Sequence, residues 1–421
     1  MKPIRQNARI LTAALVGTSV EFYDFYIFAT AAALVFGPMF FPSAAPGRQL
    51  LLSFMSLGIA FVARPVGAIA FGHFGDRVGR KSTLVASLLL MGASTLAVAF
   101  LPSYQQAGLA APILLCLCRF GQGFGLGGEW GGAALLAVEN APRGWEARFG
   151  SAPQLGAPVG FLAANGLFLA LGLVMGDEAF KEWGWRIPFL LSSVLVGVGL
   201  WVRLKISETA AFAKASAHHA PVEVPFGVLI RDHWRALVAG SAGVVACFSL
   251  FYLSTAFALA QGTGILHYSR TSFLIAQLAA NLVFGLAIIV GAVWADRFGS
   301  GRVLGWGAMA GAVVGGVFWL GLSSGSILVV FLTLSAALGA MALAYGPLSG
   351  WLSSLFPVTV RYSGISMAFN IGGIIGGALT PIIAQSFIDA GHPYWIGLLP
   401  ASAAVVTLAG IRWSRTFKKI R

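Results

Sequence analysis

The chain has 421 residues, of which 58% are hydrophobic and only 10% charged, and it carries a formal net charge of +13. Soluble domains carry roughly a quarter charged residues, so this balance and a mean hydropathy of +0.84 exclude a soluble globular protein. The basic surplus does not mark a nucleic-acid binder, because Lys and Arg fall in short stretches between apolar runs and act there as topology signals. The 54 glycines suit helices that approach closely in lipid. Cys116, Cys118 and Cys247 lie inside apolar runs and offer neither a disulfide framework nor metal-ligand spacing.

An apolar run of about 20 residues crosses a bilayer as a helix. Twelve such runs lie near 10–36, 49–74, 81–101, 109–138, 147–174, 185–203, 235–261, 271–294, 302–322, 326–355, 362–388 and 393–411. The first is too long and too acidic for a cleaved signal peptide. With a cytoplasmic N-terminus, 21 of the 27 Lys and Arg fall on one side and four on the other, while Arg64 and Arg119 sit within spans. That bias predicts both termini on the cytoplasmic side. The longest polar connection, 205–234, reads as a cytoplasmic linker between two six-helix bundles, 1–204 and 235–421.

A short polar turn is repeated at about half the chain length. Gly72-His73-Phe74-Gly75-Asp76-Arg77-Val78-Gly79-Arg80-Lys81 returns in weaker form as Ala295-Asp296-Arg297-Phe298-Gly299-Ser300-Gly301-Arg302, with an offset of 220 residues between the aspartates. Pro142…Arg148-Phe149-Gly150 is likewise echoed by Pro357…Arg361-Tyr362-Ser363-Gly364. Repeats of this kind, each between membrane-length helices, point to a duplicated membrane protein. In the first turn, Asp76 is placed to accept from backbone N–H groups at a helix start, and Arg77 to pair across the loop.

Charged groups inside a bilayer cost several kcal/mol and mark functional positions. Span one holds Glu21 and Asp24, whose i,i+3 spacing puts both carboxyls on one face. Span four holds Arg119 and Glu129, whereas the second half has no charge within a span except Asp389 at an outer edge. Charge-dependent work is therefore expected in the first bundle. Carboxyl groups held in low dielectric are suited to take and release a proton near neutral pH, so Glu21 and Asp24 are both candidates. Arg119 keeps its charge. It has two readings: a partner shared between a carboxylate and a substrate anion, or a permanent ion pair joining helices one and four.

Span four runs Arg119-Phe120-Gly121-Gln122-Gly123-Phe124-Gly125-Leu126-Gly127-Gly128-Glu129-Trp130. No strand precedes it, so it is a close-packing helix and not a dinucleotide loop. Arg119 and Trp130 share one face, and Gln122 and Glu129 a neighbouring one. Tyr23, Tyr26, Gln122, Trp130, Gln154 and Asn370, together with Arg119, are the expected substrate contacts. Gln154 and Asn370 qualify because a buried amide facing lipid would be unsatisfied.

The first turn, G-x-x-x-D-R-x-G-R-[RK], resembles the loop between helices 2 and 3 of the major facilitator superfamily. Arg119-x-x-Gln122-Gly123-x-Gly125 is similar to the superfamily's fourth-helix motif, whose arginine is associated there with proton coupling. The acidic first helix, Gly127-Gly128-Glu129-Trp130-Gly131-Gly132, Gln154-Leu155-Gly156-Ala157-Pro158, Trp183-Gly184-Trp185-Arg186-Ile187-Pro188-Phe189 and the stretch from Arg361 to Pro381 resemble the metabolite:proton symporter family. Ser300-Gly301 departs from the pattern, since many members carry arginines there.

The resemblance implies an all-α membrane protein with twelve transmembrane helices in two six-helix bundles, the major facilitator fold. It implies proton-coupled symport of a small organic acid, driven by the proton gradient with no cofactor and no metal. Glu21, Asp24, Arg119 and Glu129 would serve proton coupling, and Gly72, Asp76, Arg77, Gly79, Arg80, Asp296 and Arg297 the gating motif. The expected partners are a carboxylate substrate, protons and the bilayer, with no nucleic acid and a monomeric chain. A zwitterionic osmolyte symporter and a proton-driven exporter are the rivals. Family osmolyte carriers often bear a long C-terminal extension, and the tail here is short. An enzyme is not expected, because the histidines lie mostly in loops without ligand spacing.

Overall fold

The computed structural model describes residues 6–78, 80–127, 129–205 and 225–418. All twelve expected spans are helical: α1 Ala8–Phe40, α2 Pro46–Val78, α3 Arg80–Val98, α4 Ala110–Glu139, α5 Glu146–Val174, α6 Gly184–Trp201, α7 Phe226–Gly264, α8 Arg270–Phe298, α9 Ser300–Leu322, α10 Ile327–Ser353, α11 Arg361–Asp389 and α12 Pro393–Phe417. Eleven are long and apolar enough to cross a membrane, and in α3 the described apolar stretch is Val85–Val98. The chain is a multi-span membrane protein of two six-helix bundles. Of the expected linker, 206–224 lies outside the described residues; Pro225–Asp232 is helical, and the backbone leaves helical geometry at His233.

The duplication read from the polar turns is also visible in the backbone. A π-helical turn interrupts α1 at Ala32–Phe36, and another interrupts α7 at Leu253–Phe257, one repeat length later. α4 is broken after Leu126 at Gly127, and α10 after Tyr345 at Gly346 and Pro347. The dihedrals at Gly127, Gly346 and Pro347 stay right-handed helical; the Gly127 N–H bonds to the Phe124 carbonyl in a tightened turn, and Pro347 supplies no N–H to the ladder.

α1 and α7 are the inner helices. Each has 89% of its apolar window covered, against 39–50% for α2, α4, α5, α6, α8, α9, α10 and α12, whose outer faces are left for lipid. The bundles meet where α1, α2, α4 and α5 face α7, α8, α10 and α11. Small residues permit the closest approach: a Cβ on Gly67, Gly123 or Gly127 would run into the backbone of Phe124, Ala60 or Arg64 across the α2–α4 contact. The small-residue face expected of span four is thus turned toward α2.

Candidate functional site

The middle of α1 brings Glu21, Phe22, Tyr23, Asp24, Phe25 and Tyr26 into the buried centre of the molecule. Asp24 is 1% exposed. Ser192 of α6 donates to its Oδ1 at 2.5 Å, and Thr95 of α3 to its Oδ2 at 3.2 Å. Thr95 Oγ1 in turn accepts from Gln122 Nε2 at 2.8 Å, and Gln122 Oε1 accepts from Arg119 Nη1 at 3.0 Å. Arg119 therefore reaches Asp24 through two intervening side chains. The structure brings together three of the expected residues, Asp24, Arg119 and Gln122, in one hydrogen-bonded chain. Glu129 lies at the start of the second segment of α4 and accepts from Ser87 Oγ at 3.1 Å.

Arg119 is fully buried, with its guanidinium carbon 4.1 Å from the ring centres of both Phe25 and Phe28. Arg64 of α2 lies 4.4 Å from the Phe25 ring and 5.2 Å from that of Phe61. Cation–π contacts recover part of the desolvation cost, about 2 kcal/mol or more when water is excluded. They leave hydrogen-bond donors unmatched: Arg119 Nε and Nη2 and Arg64 Nε are buried without a hydrogen-bond partner. Arg64 is not among the site residues expected from the sequence. It is a charge inside an apolar span, the same signal that picked out Arg119.

Beside these groups, at the bundle interface, lies a constricted cavity of about 20 Å³, room for roughly one water molecule. Phe22, Tyr26 and Ala157 line it from the first bundle, and Cys247, Phe248, Phe251, Tyr252, Met341 and Tyr345 from the second. Tyr26 stacks on Phe251 across the interface with ring centres 5.3 Å apart. Tyr26 thus lies in the cavity wall. Tyr23 turns toward α6 and donates to the Pro188 carbonyl at 3.0 Å.

The remaining expected substrate contacts join the two bundles instead of lining the cavity. Trp130 stacks on Phe369 at 3.6 Å and donates to Gln154 Oε1 at 3.0 Å. Gln154 Nε2 donates to the Tyr345 carbonyl at 2.9 Å, and Asn370 Nδ2 to the Gly127 carbonyl at 2.8 Å. Both carbonyls sit at the breaks in α10 and α4, so each amide reaches across to the interrupted helix of the other bundle.

Contacts close the interface at both ends. At the end bearing Arg148, Arg297 and Arg361, Asp296 accepts from the Ala147 and Arg148 N–H groups at 2.8 and 3.3 Å and lies 2.8 Å from Arg148 Nε. A carboxylate on the first N–H groups of α5 both caps that helix and meets its positive end. Arg361 pairs with Glu139 at 3.4 Å nearby. Arg297 lies over its neighbour Phe298, 5.3 Å from the ring centre, and is not part of this cap. Gly79 lies outside the described residues, as do the side chains of Asp76, Arg77 and Arg80 and the surroundings of Gly72. At the opposite end Arg270 lies 4.1 Å over the Phe180 ring, and Asp389 packs against Gly47 while accepting from Gln385 at 2.8 Å.

Residues 10–220 match the model of the sugar (and other) transporter family. An inner membrane metabolite transport protein of Escherichia coli is 44% identical over 97% of this chain and 94% of its own length. The shikimate transporter of Escherichia coli is 36% identical over 96% of this chain and 91% of its own. A proline/betaine transporter of Salmonella typhimurium is 30% identical over 91% of this chain and 78% of its own. A crystal structure of a D-xylose–proton symporter superposes with a TM-score of 0.74 at 17% identity, over 95% of this chain and 96% of that one. Transporters of one fold thus surround the chain, at levels of identity that span its whole length, and the chain belongs to the major facilitator superfamily, in its metabolite:proton symporter family.

Proposed function

We propose that the chain carries a small organic acid inward together with protons, by alternating access between its two bundles. The observation that supports this most is the pair of guanidinium groups against Phe25, with buried donors that have no hydrogen-bond partner. Leaving such donors unmatched costs about 1–3 kcal/mol, more for charged groups. A carboxylate matches both the charge and the planar donor geometry of arginine. Six aromatic rings in the cavity wall favour an acid with a ring or a flat face. The relatives named as metabolite and shikimate transporters agree with that substrate class.

In this reading Asp24 is the proton carrier, since a hydrogen-bond chain ties it to Arg119. Glu21, three residues before it on α1, and Glu129, which accepts from Ser87, are further acidic groups of the same bundle. The end closed by Asp296 and Arg148 is cytoplasmic, with both termini there, and the halves are 1–204 and 235–421 joined by 205–234. The chain works as a monomer in the inner membrane, with the proton gradient as its only energy source and no cofactor. Uptake of radiolabelled acids and osmolytes into proteoliposomes, with and without an inward proton gradient, tests the proposal. Accumulation of one carboxylate that collapses with a protonophore supports it. Accumulation of zwitterions alone refutes the carboxylate assignment, and release without uptake refutes the direction.

A further inference from the structure

We propose that Thr95 and Gln122 are positioning residues that make protonation of Asp24 depend on what Arg119 holds. This rests on the reading of Asp24 as proton carrier and Arg119 as anion site. A guanidinium can only donate, so the Arg119 contact forces Gln122 to present Oε1 to it and Nε2 to Thr95. The Thr95 oxygen therefore receives a hydrogen bond, and its single proton has two acceptors within reach. One is Asp24 Oδ2 at 3.2 Å and the other is the Met91 carbonyl at 2.9 Å. An ionised carboxylate draws that proton, because hydrogen bonds to a charged acceptor are about twice as strong. A neutral carboxyl competes poorly with the helix carbonyl. Thr95 is thus a two-position rotor whose setting follows the charge on Asp24.

The other end of the chain responds to the substrate. Arg119 Nε and Nη2 are without hydrogen-bond partners, while Nη1 is committed to Gln122. An anion on that free edge neutralises the guanidinium charge and so weakens the charge-assisted bond from Nη1 to Gln122. With that bond weakened, Gln122 no longer pins the Thr95 hydroxyl, which can turn its proton to the Met91 carbonyl and accept from the protonated Asp24 carboxyl. The anion-free chain is matched to ionised Asp24, and the loaded chain to protonated Asp24. By linkage the dependence is reciprocal: proton and substrate favour each other. The charged groups facing Asp24 are Arg119 and Glu129, both from α4, with Tyr23 beside it on α1. α3 and α6 contribute the hydroxyls of Thr95 and Ser192.

The test compares wild type, Thr95→Val, Thr95→Ser and Gln122→Met in proteoliposomes. Radiolabelled shikimate is the first probe, followed by benzoate and linear monocarboxylates. Thr95→Val keeps the shape and loses the hydroxyl; it is expected to retain exchange of probe at equal pH. Its proton-driven accumulation should fall about tenfold, within the usual 5–150-fold span of coupling effects, and its pH profile should flatten. Thr95→Ser should restore both. Gln122→Met should reproduce the uncoupling, and the double variant should lose no more than either single variant. Unchanged accumulation and pH profile in Thr95→Val, or additive losses in the double variant, overturn the proposal. Should Thr95→Val fail to fold, Gln122→Met against wild type decides by the same readouts. If wild type accumulates none of the probes with a gradient, the carboxylate-symport reading itself fails, a result distinct from either.

Discussion

The two halves share a backbone plan but not a chemistry. Both interrupt their first helix with a π turn and break their fourth at a glycine, and each sends one amide across to the other's broken helix. The interior of the first half nevertheless holds Glu21, Asp24, Arg64, Arg119 and Glu129. The corresponding interior of the second half holds amides and hydroxyls, among them Gln261, Gln277, Asn281, Gln385, Ser249 and Thr380. Those amides are used for neutral contacts, such as Gln261 to Gln385 at 2.6 Å and Asn281 to the Pro158 carbonyl at 2.9 Å. The π turns and interruptions thus recur in both halves, while among the described residues the buried charges of the interior lie in the first half. Neutral groups bury at a fraction of the cost of ions, so confining the charges to one bundle limits the desolvation cost of the interior.

This division of labour can be broken most severely at Arg119. Arg119→Ala removes a buried charge-assisted donor, an effect of roughly 2–5 kcal/mol, so acid uptake should fall on the order of 100-fold or more. Substrate affinity measured in detergent checks it, and unchanged affinity would leave Arg119 a structural residue. Asp24→Asn should come next. Proton-driven accumulation is lost while probe exchange stays within about threefold, because only the proton-linked free energy is removed.

At the closed end, Asp296→Asn loses the charge that caps α5 and pairs with Arg148. The expected cost is about 1–2 kcal/mol, or a 5–30-fold shift toward opening at that end. Maleimide labelling of Cys247, which lines the cavity, reports the shift when Cys116 and Cys118 are replaced by Ser. Asn281→Ala in the neutral bundle should weaken the α5–α8 contact by about 1 kcal/mol and leave the pH profile of uptake unmoved. A pH effect there would contradict the comparison. Glu139→Gln is expected to do least, under about 1 kcal/mol, since its pair with Arg361 is half exposed and screened.

Much of this was legible in the sequence because charges inside apolar runs stand out. Asp24 and Arg119 were found in that way, and Asp296 through its echo of Asp76. Arg64 carries the same signal and is not among the expected site residues. Thr95 and Ser192 gave none: hydroxyls are common in membrane helices, and nothing in spacing tells which one meets a carboxylate. Gln154 and Asn370 are expected from the sequence as substrate contacts, whereas in the structure their partners are main-chain carbonyls at helix breaks. Sequence periodicity shows which face of a helix is polar. It does not show how one bundle is rotated against the other, and that rotation decides whether an amide meets a cavity or a backbone.

The most direct test of a charged bundle that couples protons to an acid is to watch both species at once. Proteoliposomes bearing wild-type protein, with no imposed pH gradient, would receive a pulse of the accumulated carboxylate while an external pH electrode and a radiolabel assay run in parallel. The account predicts external alkalinisation in step with label entry, absent from Asp24→Asn even though label still exchanges. Label entry with no proton movement in wild type would contradict it.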